Sequence, residues 1–447
     1  MSRFWCEYAI LPGGLVAGVR LTVDDTGRFA LVGQGDRQDG DSILRGVTMP
    51  GFANTHSHAF HRALRGRTHD NGGTFWTWRE RMYHVAAQLN PDNYLALARA
   101  TYAEMALAGI TTVGEFHYVH HQPGGTPYAD PNEMGKALQQ AAAEAGIGIT
   151  LLDTCYLAGG LGKDGHTPLN DEQLRFGDGD VAAWGKRVAD LHHTDGFRVG
   201  TAMHSVRAVP FEQLKEASAV ARQVCDAPFS IDPLHVHVSE QPAENQACLD
   251  FYGRTPVRLL ADAGLLDGNL SAVHATHLTD DDIRLLGDAG AWASFCPTTE
   301  RDLADGIGPA KALRDNGVRI SLGSDQHAVI DLIEDARAVE MHERLVTNER
   351  GRFTPAQLLG MATEHAGIGW ADTGRLEAGL RADFVTVGLD SVRTAGSDPA
   401  QIMLSATAAD VHTVVRAGET IVSEGLHRLG DIGALLTEAI APLWEDK

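Results

Sequence analysis

The chain has 447 residues, with 37 Lys and Arg against 59 Asp and Glu, and its formal charge of −22 repels phosphate backbones and argues against a nucleic-acid partner. Hydrophobic residues make up 43% and charged residues 21%, which excludes bulk disorder, and the length suggests either two to four domains or one large barrel with an appendage. Five scattered cysteines (Cys6, Cys155, Cys225, Cys248 and Cys296) form no CxxC pair, which excludes a disulfide framework and a thiolate zinc knuckle and fits a reducing compartment.

Taken in chain order, the first residues, MSRFWCEYAILPGG, lack the apolar run of a secretory signal. No later stretch approaches the roughly 20 apolar residues of a membrane span, so a cytoplasmic protein with no membrane partner is expected. Residues 1–48 alternate apolar and polar positions, with turn signals at Asp24-Asp25-Thr26-Gly27 and Gly33-Gln34-Gly35. A strand is predicted over about 46–55 (GVTMPGFANT), then a helix over 91–107 that Asn90 can cap and Pro91 can open. Further strands are predicted at 111–116, 148–153, 198–203, 234–239, 270–275, 292–297 and 318–323, with helices at 132–145 and 211–226 among them. Eight strands, each followed by a helix or a long excursion, predict an α/β fold, a (β/α)8 TIM-type barrel over 49–373 with its active residues at the C-terminal strand ends. A doubly wound open sheet is the alternative, and the GxGxxG turn it would carry is absent. Residues 374–430 return to β-like alternation in ADFVTVGLD and VHTVVRAGETIVSEG. The two ends, 1–48 and 374–430, are therefore expected to pair into a small discontinuous β-sandwich domain, with 431–447 as a C-terminal surface helix.

The chemistry-bearing residues fall where barrel strands end. In Pro50-Gly51-Phe52-Ala53-Asn54-Thr55-His56-Ser57-His58 the two histidines are two apart on a strand, so both imidazoles can reach one metal ion. The fifth strand ends in His235-Val236-His237-Val238-Ser239-Glu240; His237, nearer the end than His235, is the candidate ligand, and Glu240 can turn back over the mouth. The sixth strand brings His274 and the eighth Asp325. Each alone reads best as a solvated loop residue or a hydrogen-bonded core histidine; together they converge on one rim of one barrel. A divalent ion held by neutral imidazoles and a carboxylate, with an open position, lowers the pKa of bound water to about 7. The resulting hydroxide can attack an sp2 carbon. Glu240 can then carry a proton to a leaving nitrogen, His274 can hydrogen-bond the hydroxide or the developing tetrahedral centre, and Asp325 can both ligate the metal and accept a proton. The expected reaction is metal-assisted hydrolysis at a C–N or C=N carbon.

This constellation resembles the amidohydrolase superfamily over nearly the whole chain. Ala202-Met203-His204 stands where binuclear relatives carry a barrel lysine, which implies the single-metal, deaminase-like branch. The stretches Thr74-Phe75-Trp76-Thr77-Trp78-Arg79-Glu80, Gly114-Glu115-Phe116-His117-Tyr118-Val119-His120-His121 and Met203-His204-Ser205-Val206-Arg207 are similar to the formimidoylglutamate deiminases. The resemblance implies hydrolysis of N-formimino-L-glutamate to N-formyl-L-glutamate and ammonia, as in histidine degradation, by a homodimer with one Zn2+ as the usual metal. It assigns His56, His58, His237 and Asp325 as ligands, Glu240 and His274 to proton transfer, and Arg79, Tyr118, His204 and Arg207 to the substrate. His61 stands where relatives often carry Gln and could hydrogen-bond the same substrate.

A dicarboxylate entering a protein of this charge needs local cations, and arginine offers bidentate geometry. Arg79 lies in an excursion over 66–84 that could close as a lid after Gly72-Gly73. Other readings stand beside these: an ion pair of Arg79 with Glu80 or Glu115, plain packing for Trp76 and Trp78, and a solvated or structural role for His120-His121 and His192-His193. The rival functions are a deaminase of the same superfamily acting on a purine, pyrimidine or s-triazine ring, a formimidoylglutamase, which would need aspartate-rich motifs missing here, and a non-catalytic scaffold, which would have lost ligands.

Overall fold

The protein is described by a computed structural model over residues 1–69, 75–224 and 232–445. Gly72-Gly73, Thr74, Cys225 and the end of the helix expected to reach 226 lie outside the described residues, as does the side chain of Trp76. The chain opens with β1 (Ser2–Leu11), β2 (Gly14–Val23), β3 (Phe29–Gln34) and β4 (Ser42–Pro50), and later supplies β15 (Phe384–Val387), β16 (Val411–Arg416), β17 (Glu419–Ser423) and β18 (Leu426–His427). These eight make one sheet in the order β18-β17-β16-β15-β4-β1-β2-β3. The chain ends are joined where β15 runs antiparallel to β4, pairing Phe384 with Pro50 and Val387 with Val47. Phe384 packs edge-on against Phe4 at 5.1 Å and stacks on Phe29 at 6.1 Å, giving this sheet its own apolar core.

Between these ends lie β5 (Phe52–Ser57), β6 (Ile110–His117), β7 (Gly148–Cys155), the small hairpin β8 (Gly160–Gly162) and β9 (Gly165–Thr167), β10 (Phe197–Ser205), β11 (Leu234–Val238), β12 (Leu270–His274), β13 (Trp292–Phe295) and β14 (Arg319–Leu322). Leaving the hairpin aside, these are eight parallel strands in sequence order from β5 to β14. The ring closes beside the site residues: Asp325 N–H donates to His56 O at 3.0 Å and His58 N–H to Asp325 O at 3.2 Å. Strands β6 and β7 are buried along their whole length, as expected for parallel strands covered on both faces.

Between β5 and β6 lie the helices Phe75–Gln88 and Pro91–Leu107, the second opened by a capping box in which Asn90 accepts the N–H of Asn93 and the Asn93 side chain answers the N–H of Asn90. The last helix, Ile432–Ile440, packs on it, and Trp444 Nε1 donates to Ala63 O at 3.1 Å. The single strand expected over 46–55 is two strands in two sheets. The break falls at Gly51, whose N–H donates to Asp383 O, and where a Cβ would lie 2.4 Å from the Thr111 side chain. The Pro50-Gly51 dipeptide, a turn signal in the sequence, marks this junction. Among the described residues, no helix is long and apolar enough to cross a membrane.

Candidate metal centre and active site

His56 is the last residue but one of β5, His58 follows the strand, His237 lies near the end of β11, and Asp325 follows β14. All four are buried, none more than 6% exposed. His56 Nε2 and His58 Nε2 each lie 3.4 Å from Asp325 Oδ1, and His237 Nε2 lies 3.1 Å from His56 Nε2. The His58 and His237 rings are held from behind, their Nδ1–H groups donating to Phe116 O and His204 O at 2.9 Å each. That fixes the tautomer and turns two lone pairs inward. Burial pushes His58 down to about 3 and holds His56 and His237 well below the usual imidazole range, so all three are neutral. Three neutral imidazole nitrogens and one carboxylate, gathered in overlapping groups, form a donor set that suits a divalent cation.

The strand ends carrying these groups are strained. Ser239, His274, Asp325 and His327, all non-glycine, have φ of 53°, 66°, 42° and 60°, a left-handed geometry that costs of order 1–3 kcal/mol each and clusters at functional sites. Gly323, just before Asp325, lies so close to β5 that a Cβ would come within 2.7 Å of His56 O.

Glu240 and His274 sit beside the donor set. Glu240 Oε2 accepts from Arg207 Nη2 at 3.0 Å, and its Oε1 lies 3.9 Å from His274 Nε2, which is also 3.9 Å from Asp325 Oδ2. Behind the ring, His274 Nδ1 lies 3.5 Å from Glu300 Oε1, which also accepts the N–H of Cys296 at 2.8 Å. Burial alone would keep this imidazole neutral; Glu300, Glu240 and Asp325 outweigh it and raise His274 to about 10, so it is a cation held among three carboxylates. Glu300 was not singled out from sequence, although it follows the seventh strand as Asp325 follows the eighth. Asp305 was missed too; burial, reinforced by Glu240, raises its carboxyl to about 8.

A cavity of about 90 Å3 opens over this centre. Its wall brings together His61, Arg79, Tyr118, His204 and Arg207. His61 Nε2 is 3.1 Å from Tyr118 Oη, and its ring meets Trp78 edge-on at 5.3 Å. His204 packs on Tyr156 at 4.5 Å. Arg79 Nε donates to Tyr83 Oη at 2.7 Å. Arg207 is engaged within the protein, by Glu240 and, at 3.8 Å, by Glu244. Glu115, one of the acids weighed as a partner for Arg79, lies instead beneath β5. It accepts from Ser57 Oγ and Ala59 N at 2.6 Å each, and burial raises its carboxyl to about 8.

The other histidines fall outside the cavity. His235 is deeper in the barrel, donating from Nε2 to Gly367 O at 3.0 Å. His120 donates to Thr154 O, His121 pairs with Asp178 at 3.0 Å, and His193 Nδ1 accepts the N–H of Val199. His192 is exposed.

Residues 47–421 match the Amidohydrolase family. The chain is 34% identical over 444 residues to a formimidoylglutamate deiminase of Pseudomonas aeruginosa, with 96% of each chain covered. Among solved structures, it is similar to an amidohydrolase from Brucella melitensis, with a TM-score of 0.89, 31% identity and full coverage of both chains. It also shares its fold with an atrazine chlorohydrolase from Arthrobacter aurescens TC1 complexed with zinc, with a TM-score of 0.85 and 22% identity over 99% of this chain and 100% of that one.

Proposed function

The chain belongs to the amidohydrolase family, and from that premise we propose that it hydrolyses N-formimino-L-glutamate to N-formyl-L-glutamate and ammonia, with one zinc ion held by His56, His58, His237 and Asp325. The observation that carries this reading is the wall of the cavity: two arginines, Arg79 and Arg207, stand near one cluster of histidines and carboxylates. A substrate with two carboxylates at one end suits the arginines, and a formimino carbon at the other end suits attack by an activated water. The full-length similarity to a formimidoylglutamate deiminase supports the same choice.

When bound, a divalent ion of this kind brings the pKa of a coordinated water toward neutrality. The remaining work falls to side chains. Glu240, within reach of both Arg207 and His274, takes a proton as the water oxygen bonds to the formimino carbon and returns it to the leaving nitrogen as the C–N bond breaks, releasing ammonia. The water thus supplies the new formyl oxygen, and no redox partner is involved. His274, charged between Glu300 and the site carboxylates, donates toward the oxygen that gains negative charge. Asp325 serves as ligand and as a second proton acceptor. Arg79 and Arg207 draw in the carboxylates, and His61, Tyr118 and His204 shape the path between the two ends.

The aromatic side of the cavity, where Tyr156 faces His204 at 4.5 Å, favours a second reading, deamination of an aminated purine, pyrimidine or s-triazine ring stacked there. Steady-state kinetics on a panel separates the two. The proposed function predicts a kcat/KM for N-formimino-L-glutamate at least about 1,000-fold above that for any aminated ring, a gap of about 4 kcal/mol. A ring substrate equal to or better than N-formimino-L-glutamate would overturn it.

A further inference from the structure

Tyr83, Tyr156 and Gln173 come from three separate segments and meet at the cavity wall, where both tyrosines face the open space. Gln173 is 1% exposed and its amide orientation is set, because Oε1 accepts the N–H of Asn170 at 3.1 Å. Its Nε2 therefore donates, and three oxygens lie within reach: Tyr83 Oη at 3.1 Å, Tyr156 Oη at 3.0 Å and Gly159 O at 3.0 Å. Tyr83 Oη also accepts from Arg79 Nε at 2.7 Å. Amide and guanidinium nitrogens of this kind can only donate, so in each contact with Tyr83 or Tyr156 the phenol oxygen is the acceptor, and the two Nε2 protons are shared among the three oxygens.

A phenol has one proton to donate. In the described residues neither Tyr83 Oη nor Tyr156 Oη donates that proton to any acceptor. Burial raises the Tyr156 phenol, so the proton stays on the oxygen at any physiological pH. Two phenols, Tyr83 accepting two hydrogen bonds and Tyr156 one, therefore turn their O–H protons toward a cavity that also presents Arg79 and Arg207. Each phenol can donate one proton to a group in the cavity, so the ligand that suits this wall brings acceptor oxygens.

We propose that Tyr83 and Tyr156, held in place by Gln173, are substrate-binding residues that donate their phenolic O–H groups to the carboxylates attracted by Arg79 and Arg207. The proposal rests on the dicarboxylate reading of the substrate and deepens it: the arginines supply charge, and the two phenols supply discrimination. A guanidinium attracts any anion. A fixed neutral O–H is satisfied only by an acceptor at its own position, which is how a site built around hydrogen bonds rejects analogues that lack the partner.

Calorimetric titration of the metal-loaded enzyme with N-formyl-L-glutamate tests this without turnover. Tyr83→Phe and Tyr156→Phe should each raise Kd about tenfold, the lower range for a hydrogen bond to a charged group. With the truncated ligands N-formyl-4-aminobutanoate and N-formyl-2-aminobutanoate, each lacking one carboxylate, at least one variant should lose its penalty and bind within about twofold of the unaltered enzyme. A general loosening of the fold would not produce that ligand-specific recovery. Kd values within twofold of the unaltered enzyme in both variants, equal losses on all three ligands, or failure of the unaltered enzyme to bind N-formyl-L-glutamate would each overturn the proposal. Absence of turnover on N-formimino-L-glutamate, with phenol-dependent binding of N-formyl-L-glutamate retained, would overturn the substrate assignment and leave the donor pair standing.

Discussion

Replacing Glu240 by Gln isolates proton transfer from every other job in the site. Glu240 faces Arg207 at 3.0 Å and His274 at 3.9 Å, while the proposed metal ligands are His56, His58, His237 and Asp325. The Gln side chain keeps the length and one carbonyl oxygen for Arg207 Nη2, and Arg207 also retains Glu244 at 3.8 Å. The fold and the metal content should therefore hold. What Gln cannot do is take up a proton and give it back. A positioned acid–base group is worth about 100- to 10,000-fold in rate, or about 3–5 kcal/mol of barrier, so kcat should fall by at least about 100-fold. The assay is ammonia release at saturating substrate, paired with elemental analysis of the same preparation for bound metal. A kcat within threefold of the unaltered enzyme, with metal retained, would remove Glu240 from proton transfer. Loss of metal in the variant would show instead that Glu240 is a ligand.

Arg207→Met should raise KM and lower kcat together, by about tenfold each, because the guanidinium both attracts a carboxylate and holds Glu240. An unchanged KM in a folded variant would refute the first role, and an unchanged kcat the second. Glu300→Gln removes the carboxylate behind His274 and should lower kcat by about 10- to 100-fold with metal retained, as measured by kinetics and metal analysis; full activity would make Glu300 a structural residue only. Away from the site, burial would raise the Asp178 carboxyl, but Arg187 at 2.8 Å and His121 at 3.0 Å outweigh it and hold it well below the usual range. A carboxyl held low in the fold adds stability above its unfolded pKa of about 3.9 and loses it as pH falls below that value. Asp178→Asn should therefore cost about 3 kcal/mol between pH 5 and 7, with the gap narrowing by up to about 1.4 kcal/mol per unit below pH 4. Denaturant melts across that range would refute the sign if the gap widened in acid.

The parts of the molecule legible in the sequence are those that one segment specifies by itself. The helix Pro91–Leu107 carries its own start signal in Asn90 and Pro91. The HxH of β5, the His235/His237 pair of β11 and the acid after β14 follow from strand period and strand ends, and the structure brings His56, His58, His237 and Asp325 together. The illegible parts depend on partners distant in sequence. Pro50-Gly51 signals a break in the strand, but the Thr111 side chain that lies against Gly51 is not encoded in the run through 46–55. Glu115 read as a possible surface partner for Arg79 because its acceptor role is set by Ser57 and Ala59, 56 residues or more away. Glu300 and Tyr156 matter through contacts with His274 and Gln173 that no local pattern encodes. The left-handed backbone at Ser239, His274 and Asp325 is equally invisible, since these residue types ordinarily avoid it.

The most direct test of the account is to incubate metal-loaded enzyme with N-formimino-L-glutamate and quantify ammonia, formamide and N-formyl-L-glutamate separately, beside a chelated control. The account predicts ammonia and N-formyl-L-glutamate in equal amounts, no formamide, and loss of both products on chelation. Formamide release, or turnover that survives complete removal of the metal, would contradict it.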